Sequence, residues 1–323
     1  MRRSLAAAVF CALVVAGSAL GADKGFSPPE PASPNAERIN DSYLWIAIFT
    51  GAILVLVQGS LIWFAVRYRA DRRRRDEDGA QVHGNTNLEL AWTVAPVLVL
   101  VAIGAFVFYK LPVIQDVPAA SAQGGRVDVT VKGYRYYWNY EYDNGVIAVD
   151  RLRAPVDQTM KLNITAPPFE VIHSWWIPAL GGKFDAIPGQ VNETWFRAAT
   201  AGVYRGQCAE FCGIEHASMD AEVEAMPRDE FEEWLDDEAA AQEAGTSNLG
   251  RDTFAGACAT CHGIDGEGDI GPRLAGNPLI GDARAVEQVV RGGRNEMPPV
   301  GGDWDDRQMR ALTDYLEEEL RGG

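Results

Sequence analysis

The chain has 323 residues, with 29 Lys+Arg against 45 Asp+Glu and a net charge of −16. That length allows two or three domains, and that charge argues against a nucleic-acid binder, which needs a basic footprint. An apolar content of 47% is that of a folded chain, and four His with five Cys exclude a multi-His metal enzyme contained wholly in this chain.

Charge is uneven along the sequence. Residues 1–123 hold 11 basic and 10 acidic side chains, and residues 124–323 hold 18 and 35. An acidic body thus follows a near-neutral front. Residues 1–22 read as a secretory signal: Arg2 and Arg3, an apolar stretch from Leu5 to Leu20, then small residues at Ala19 and Gly21. Residues 23–42 are Pro-rich and polar and predict an extended, irregular segment. Tyr43 to Val66 and Leu90 to Tyr109 are uncharged runs of 24 and 20 residues, each long enough to span a bilayer as a helix. Pro96 in the second run is tolerable in a membrane helix. Residues 43–110 therefore predict a transmembrane helical hairpin. Its loop, 67–88, carries six arginines, Arg67, Arg69 and Arg72 to Arg75, which places the loop in the cytoplasm and the acidic body outside the cell membrane.

Residues 120–226 predict a β-sandwich. Val127, Val129 and Val131 alternate with polar residues, as do Met160, Leu162 and Ile164, the period of a half-buried strand. Asn144-Gly145 is a hairpin turn signal. Two segments in this stretch carry chemistry. One runs Cys208-Ala-Glu-Phe-Cys212-Gly-Ile-Glu-His216-Ala-Ser-Met219, and the other holds His173 in FEVIHSWWIP. Outside the cytoplasm a bare CxxxC is commonly a disulfide. With two imidazoles and a thioether added, the set becomes a soft one that selects copper.

Residues 227–245 predict an acidic helix with Phe231, Trp234 and Leu235 on one face. Gly245 to Gly250 reads as a short flexible joint. The final stretch, 246–323, contains Cys258-Ala-Thr-Cys261-His262, the attachment signature of c-type haem. Cys258 and Cys261 would hold the haem covalently and His262 would reach the iron. Met297, 35 residues on in NEMPPV, is the expected second axial ligand. Phe254 before the motif, Asp303, Asp305 and Asp306 at a helix start, and Leu312, Tyr315 and Leu316 on its apolar face fit an all-α class I cytochrome c domain. Gly271-Pro272 resembles the loop whose carbonyl orients the proximal His in small c-type cytochromes.

GQCAEFCGIEHASM together with HSWWIP resembles the dinuclear copper (CuA) site of cytochrome c oxidase subunit II, a likeness that runs from about residue 40 to 226. The resemblance implies a cupredoxin fold, with Cys208 and Cys212 bridging two coppers. It makes His173 and His216 the terminal ligands, and Met219 and the backbone carbonyl of Glu210 the weak axial ones. It also implies that the Glu210 carboxylate binds a magnesium shared with subunit I. GGKFDAIPGQ resembles the family loop lying against subunit I, and Glu89 in LELAW matches the acid at the mouth of a proton path. In the family's aromatic run the first Trp receives electrons. Here Tyr136 stands in its place, with Trp138 two residues on.

The whole architecture resembles caa-type oxidases, in which a cytochrome c domain is fused to subunit II. It implies subunits I and III as partners, a cytochrome c-type donor, and oxygen chemistry with proton translocation in subunit I. It further implies a multi-pass place in a bacterial-type cell membrane, with copper and haem outside. The alternative is a membrane-anchored copper and haem electron-transfer module without an oxidase partner. A quinol-oxidase subunit II, which lacks the copper, sits poorly with a complete ligand set.

Overall fold

Two long apolar helices open the structure, a computed structural model that describes residues 28–69, 81, 83–118 and 125–321. The signal at 1–22 and the arginines Arg72 to Arg75 lie outside the described residues. Helix α1 spans Pro34–Arg67 and α2 spans Thr86–Gln115. Both are long and apolar enough to cross a membrane, with mean hydropathies of 2.1 and 2.4 in their most apolar stretches. Their faces expose Ile48, Leu54, Leu98 and Val101, a surface suited to lipid and not to water. Trp45 stacks on Phe106 at 4.0 Å between them. Asn85 caps α2 by accepting from the Leu88 N–H at 3.1 Å, and its own N–H donates to Glu89 Oε1 at 3.2 Å.

The irregular segment expected over 23–42 is shorter than the sequence suggested, because helix α1 already begins at Pro34. Proline suits a first helical turn, where its missing N–H costs nothing, and the Glu37 N–H bonds to the Ser33 carbonyl at 3.0 Å. The residues just before are tied to the β domain. Ala32 N–H donates to Ala179 O at 2.8 Å, and Asn35 Nδ2 donates to Trp195 O at 3.0 Å.

Ten strands form two five-stranded sheets. They are β1 (Arg126–Tyr134), β2 (Tyr137–Tyr142), β3 (Ile147–Val149), β4 (Arg151–Pro155), β5 (Thr159–Thr165), β6 (His173–Trp176), β7 (Phe184–Ala186), β8 (Asn192–Phe196), β9 (Gly202–Cys208) and β10 (Asp220–Met226). One sheet runs β3-β2-β1-β5-β8 and the other β4-β10-β9-β6-β7. Strand β1 pairs parallel with β5, and β4 with β10. Val129, Val131, Met160, Leu162 and Ile164 point inward with Trp138, Tyr140, Leu152 and Val223. This is the alternation expected of a sandwich with a core between its sheets.

Helix α3 (Arg228–Ala244) follows and ends at Gly245, whose φ of 72° closes the helix in the left-handed region. Phe231 is buried, and Trp234 and Leu235 pack on the same core. Gln242 clamps the edge strand β3, donating to Ile147 O at 2.7 Å and accepting from Ile147 N at 3.1 Å. The last domain is helical: α4 (Leu249–Ala257), the short α5 (Ala259–His262), α6 (Ala283–Gly292) and α7 (Asp306–Tyr315). Asp305 caps α7, accepting from Gln308 N at 2.7 Å.

The joint does not leave this domain free, contrary to the flexible reading of 245–250. Tyr134, Tyr137, Ile147 and Val149 of the β domain share one buried apolar cluster with Leu249, Phe254, Val300 and Trp304. Tyr137 is fully buried. Its hydroxyl donates to Val300 O and accepts from Trp304 Nε1, both at 2.8 Å. Tyr134 donates to Asp303 at 2.6 Å, and Asn139 to Gln308 at 3.0 Å. A short linker becomes a fixed seam because both partners bury aromatic rings against each other.

Candidate metal centres

Strand pairing assembles the first centre. Strands β6 and β9 run antiparallel with Trp175 opposite Cys208, which brings His173, at the start of β6, beside the end of β9. Two further bonds lock the segments: Ala209 N–H to Ser174 O and Cys208 N–H to Met219 O, each at 2.8 Å. The ligating atoms of His173, Cys208 and Cys212 lie within 4.8 Å of one another, and all three residues are buried. His216 Nδ1 is 3.5 Å and Met219 Sδ 3.9 Å from Cys212 Sγ. The Glu210 carbonyl oxygen is 3.3 Å from Cys208 Sγ. The structure thus brings together six groups that lie up to 46 positions apart in the chain (173 to 219).

The two sulfurs are 4.0 Å apart and both cysteines are free. A disulfide needs about 2.05 Å, so these thiols face each other without a bond. The hydrogen bond between them pulls Cys208 well below the ordinary thiol range, with His173 adding to the effect, and pushes Cys212 up. Burial works to lower the His173 pKa, but the neighbouring Cys208 sulfur and Glu170 carboxylate outweigh it and raise the value.

His173 is held from both sides. A Cβ on Gly133 would sit 3.1 Å from its ring, and Trp138 packs edge-on with ring centres 6.0 Å apart. Its Nδ1 faces Cys208 Sγ at 4.0 Å. Its Nε2 is buried and lacks a hydrogen-bond partner among the described residues. Glu210 points its carboxylate outward to Lys183 of the GGKFDAIPGQ loop, 3.5 Å away. Phe211 and Ile214 beside the ligands are 77% and 75% exposed.

The second centre is CATCH. Cys258 ends α4, and α5 carries Cys261 and His262. Burial pushes the Cys258 thiol up to about 12. His262 is buried, and its Nδ1 donates to the Pro272 carbonyl at 2.7 Å. That fixes the tautomer and leaves Nε2 free to take a metal. Residue 271 is glycine because a Cβ there would sit 2.7 Å from the His262 ring. Met297 pairs with Arg294 through two 3.0 Å backbone bonds and packs, half-buried, on the cluster that holds Cys258.

Tyr136 neighbours residues of both motifs. It is the neighbour of Gly213, next to Cys212. It also lines a cavity of about 540 Å³ with Asp150, Ser218, Arg251 and Thr260. Glu89 is exposed in the first turn of α2. Sequence reasoning passed over Glu170, whose side chain is 0% exposed beside the His173 ring. Its spacing of three residues before a ligand histidine was the available signal.

Three stretches match family models. Residues 22–110 match the cytochrome c oxidase subunit II transmembrane domain, and 145–226 match the subunit II periplasmic domain. Residues 246–316 match cytochrome c oxidase, cbb3-type, subunit III. Cytochrome c oxidase subunit 2 of Alkalihalophilus pseudofirmus is 33% identical over 312 residues, covering 89% of each chain. A probable cytochrome c oxidase subunit 2 of Rickettsia bellii is 33% identical over 251 residues, covering 70% of this chain and 88% of that one. Among solved structures, the periplasmic domain of cytochrome oxidase subunit II from Bradyrhizobium japonicum is 32% identical, with a TM-score of 0.35. The match covers 38% of this chain and 97% of that one.

Proposed function

The chain belongs to the cytochrome c oxidase subunit II family, with a CuA domain and a cytochrome c domain, and from that premise we propose how its residues carry electrons. Cys258, Cys261, His262 and Met297 would hold a haem c able to accept electrons from an external cytochrome c-type donor, and His173, Cys208, Cys212, His216 and Met219 would hold a copper pair able to relay them to subunit I. The convergence of two free thiols, two imidazoles, a thioether and the Glu210 carbonyl carries this reading. It is a donor set suited to copper and too soft for magnesium or calcium. The unpartnered buried His173 Nε2 also fits, since an imidazole that gives Nδ1 to a metal keeps its proton on Nε2. Bound there, a bridged copper pair supplies a centre that spreads one unpaired electron over two metals, with little rearrangement per transfer.

The residues around the site divide the remaining work. Gly133 and Trp138 hold the His173 ring in one orientation. Tyr136, beside Gly213 and in one cavity with Thr260, would with Trp138 supply aromatic material for the electron's path. Glu210, exposed and 3.5 Å from Lys183, would share a magnesium with subunit I. Phe211 and Ile214 suit burial against that subunit. Glu89 marks where protons reach the oxidase from the cytoplasmic side. Subunit III and the external donor complete the partners. The two helices anchor the chain as a multi-pass protein of a bacterial-type cell membrane, with both redox domains on the periplasmic side.

Optical and EPR spectra of the full chain test this. The expected result is a low-spin c-type haem together with two equivalent coppers sharing one spin. A Cys208–Cys212 disulfide in the copper-treated protein, or a single-copper spectrum, would overturn the copper assignment.

A further inference from the structure

Glu170 is an acidic residue buried beside a ligand histidine. Its side chain is 0% exposed, and an acidic group is rarely buried unless paired. Its position follows from a turn after β5, where the Glu170 N–H donates to Pro167 O at 3.0 Å. Oε2 accepts from Arg135 Nε at 2.9 Å and lies 3.7 Å from His173 Nε2. Oε1 has no hydrogen-bond partner among the described residues, and neither has His173 Nε2. Two buried, unsatisfied polar atoms thus stand side by side, one an acceptor and one a nitrogen able to carry a proton. A buried polar atom left alone destabilises the fold.

We propose that Glu170 is a positioning residue for the copper pair: it receives the Nε2 proton of His173, directs Nδ1 to the metal, and with Arg135 sets the reduction potential of the centre. The inference rests on the copper reading above and adds residues that reading does not use. The two nitrogens of an imidazole are distinct, and the partner of one decides what the other can bind. Nδ1 already faces Cys208 Sγ at 4.0 Å, so the opposite side of the ring needs an acceptor, and a carboxylate is the strongest available. A buried carboxylate beside a metal-bound imidazole also disfavours the reduced state, since reduction adds a negative charge close to an existing one. Arg135, 26% exposed in its side chain, offsets part of that field. Arg135 also begins the turn that carries Tyr136, so the ion pair fastens the aromatic path to the ligand histidine.

Opposite charge changes give opposite expectations. In the copper-loaded full chain, Glu170→Gln keeps the shape and removes the negative charge. It should retain both coppers, raise the midpoint potential and change the hyperfine pattern of the dinuclear EPR signal. Arg135→Gln leaves the carboxylate uncompensated and should lower the potential. Glu170→Ala removes the acceptor altogether and should weaken copper retention against a chelator by about 10–100-fold, the usual cost of losing such a partner. A wild-type potential and spectrum in Glu170→Gln would overturn the proposal, as would shifts of the same sign in both charge variants, which mark simple structural disturbance. If Glu170→Gln does not fold, Arg135→Gln decides alone: a downward shift supports the proposal and an unchanged potential overturns it. A wild-type chain that takes up no copper pair overturns the copper reading itself, and the inference with it.

Discussion

Gly256 offers a test of whether the cytochrome domain is fixed on the β domain. It lies in α4, and a Cβ added there would sit 2.6 Å from Val149 Cγ1 and 2.7 Å from Asp150 Oδ2. Both neighbours belong to the β domain, so Gly256→Ala drives a wedge into the seam. The helix itself gains, because alanine is about 1 kcal/mol better than glycine in a helix interior. The seam loses about 1–3 kcal/mol, the usual cost of overpacking. That is comparable with two or three of the hydrogen bonds crossing from Tyr134, Tyr137 and Asn139, at about 0.5–1.5 kcal/mol each. The two effects act on different equilibria and have opposite signs. The cytochrome domain should keep its haem spectrum, while the ratio of docked to undocked molecules falls about 5- to 150-fold. Proteolysis reads this directly, because Gly245, Thr246 and Asn248 between α3 and α4 are exposed and cleavage there tracks the open population when opening is fast. Gly292→Ala is the control, since nothing lies within 4 Å of its added Cβ. Cleavage and haem-to-copper transfer at wild-type rates in Gly256→Ala would refute a fixed seam.

Four other outcomes are expected. Cys208→Ser or Cys212→Ser should abolish the dinuclear copper signal and leave the haem spectrum intact, and a preserved two-copper spectrum in either variant would remove the bridge. Met297→Ala should leave haem covalently attached, lower its potential and open the iron to carbon monoxide, as redox titration and ligand-binding spectra would show. Burial raises the Asp150 carboxyl to about 7 from 3.8, so the folded state holds its proton more tightly than the unfolded one. Stability from this group should therefore fall as pH rises from about 4 to about 7, by up to about 4 kcal/mol. Asp150→Asn, which keeps an acceptor for the Trp138 N–H and tolerates φ of 59°, should flatten that decline in melting temperature. Donor-to-haem reduction should slow with salt for a basic donor, because residues 246–323 hold 8 basic and 14 acidic side chains, while haem-to-copper transfer should not respond.

How much of this was legible in the sequence depended on whether a constraint was local. The membrane helices, the strand alternation at Met160, Leu162 and Ile164, and the CATCH motif each carry their physics within a short window. Cys208, Cys212, His216 and Met219 lie within twelve residues, so that with His173 added the segment was legible as a soft ligand set. Glu170 was passed over because a buried acid looks like a surface acid until its neighbours are known. Arg135, 35 positions earlier, gives no warning of the pair.

The docked seam was hidden by a different cause, and one clue to it was present. In the hairpin of β1 and β2, Val129, Val131, Trp138 and Tyr140 face the sandwich core. Tyr134 and Tyr137, directly paired across the strands and stacked at 4.8 Å, face the other way. A strand with one wetted face alternates apolar with polar residues, whereas one covered on both faces is apolar throughout. The aromatics of YRYYWNYEY therefore exceed what one core can absorb. Taken as sandwich filling, they leave Tyr134 and Tyr137 unexplained. Taken as two faces, they require a second body against the sheet, and since Phe231, Trp234 and Leu235 of α3 pack on the sandwich core, that body is the helical domain beginning a few residues beyond α3. A joint of that length ties two surfaces that already match, and it keeps Tyr136, the neighbour of Gly213, in one cavity with Thr260 without any diffusional search.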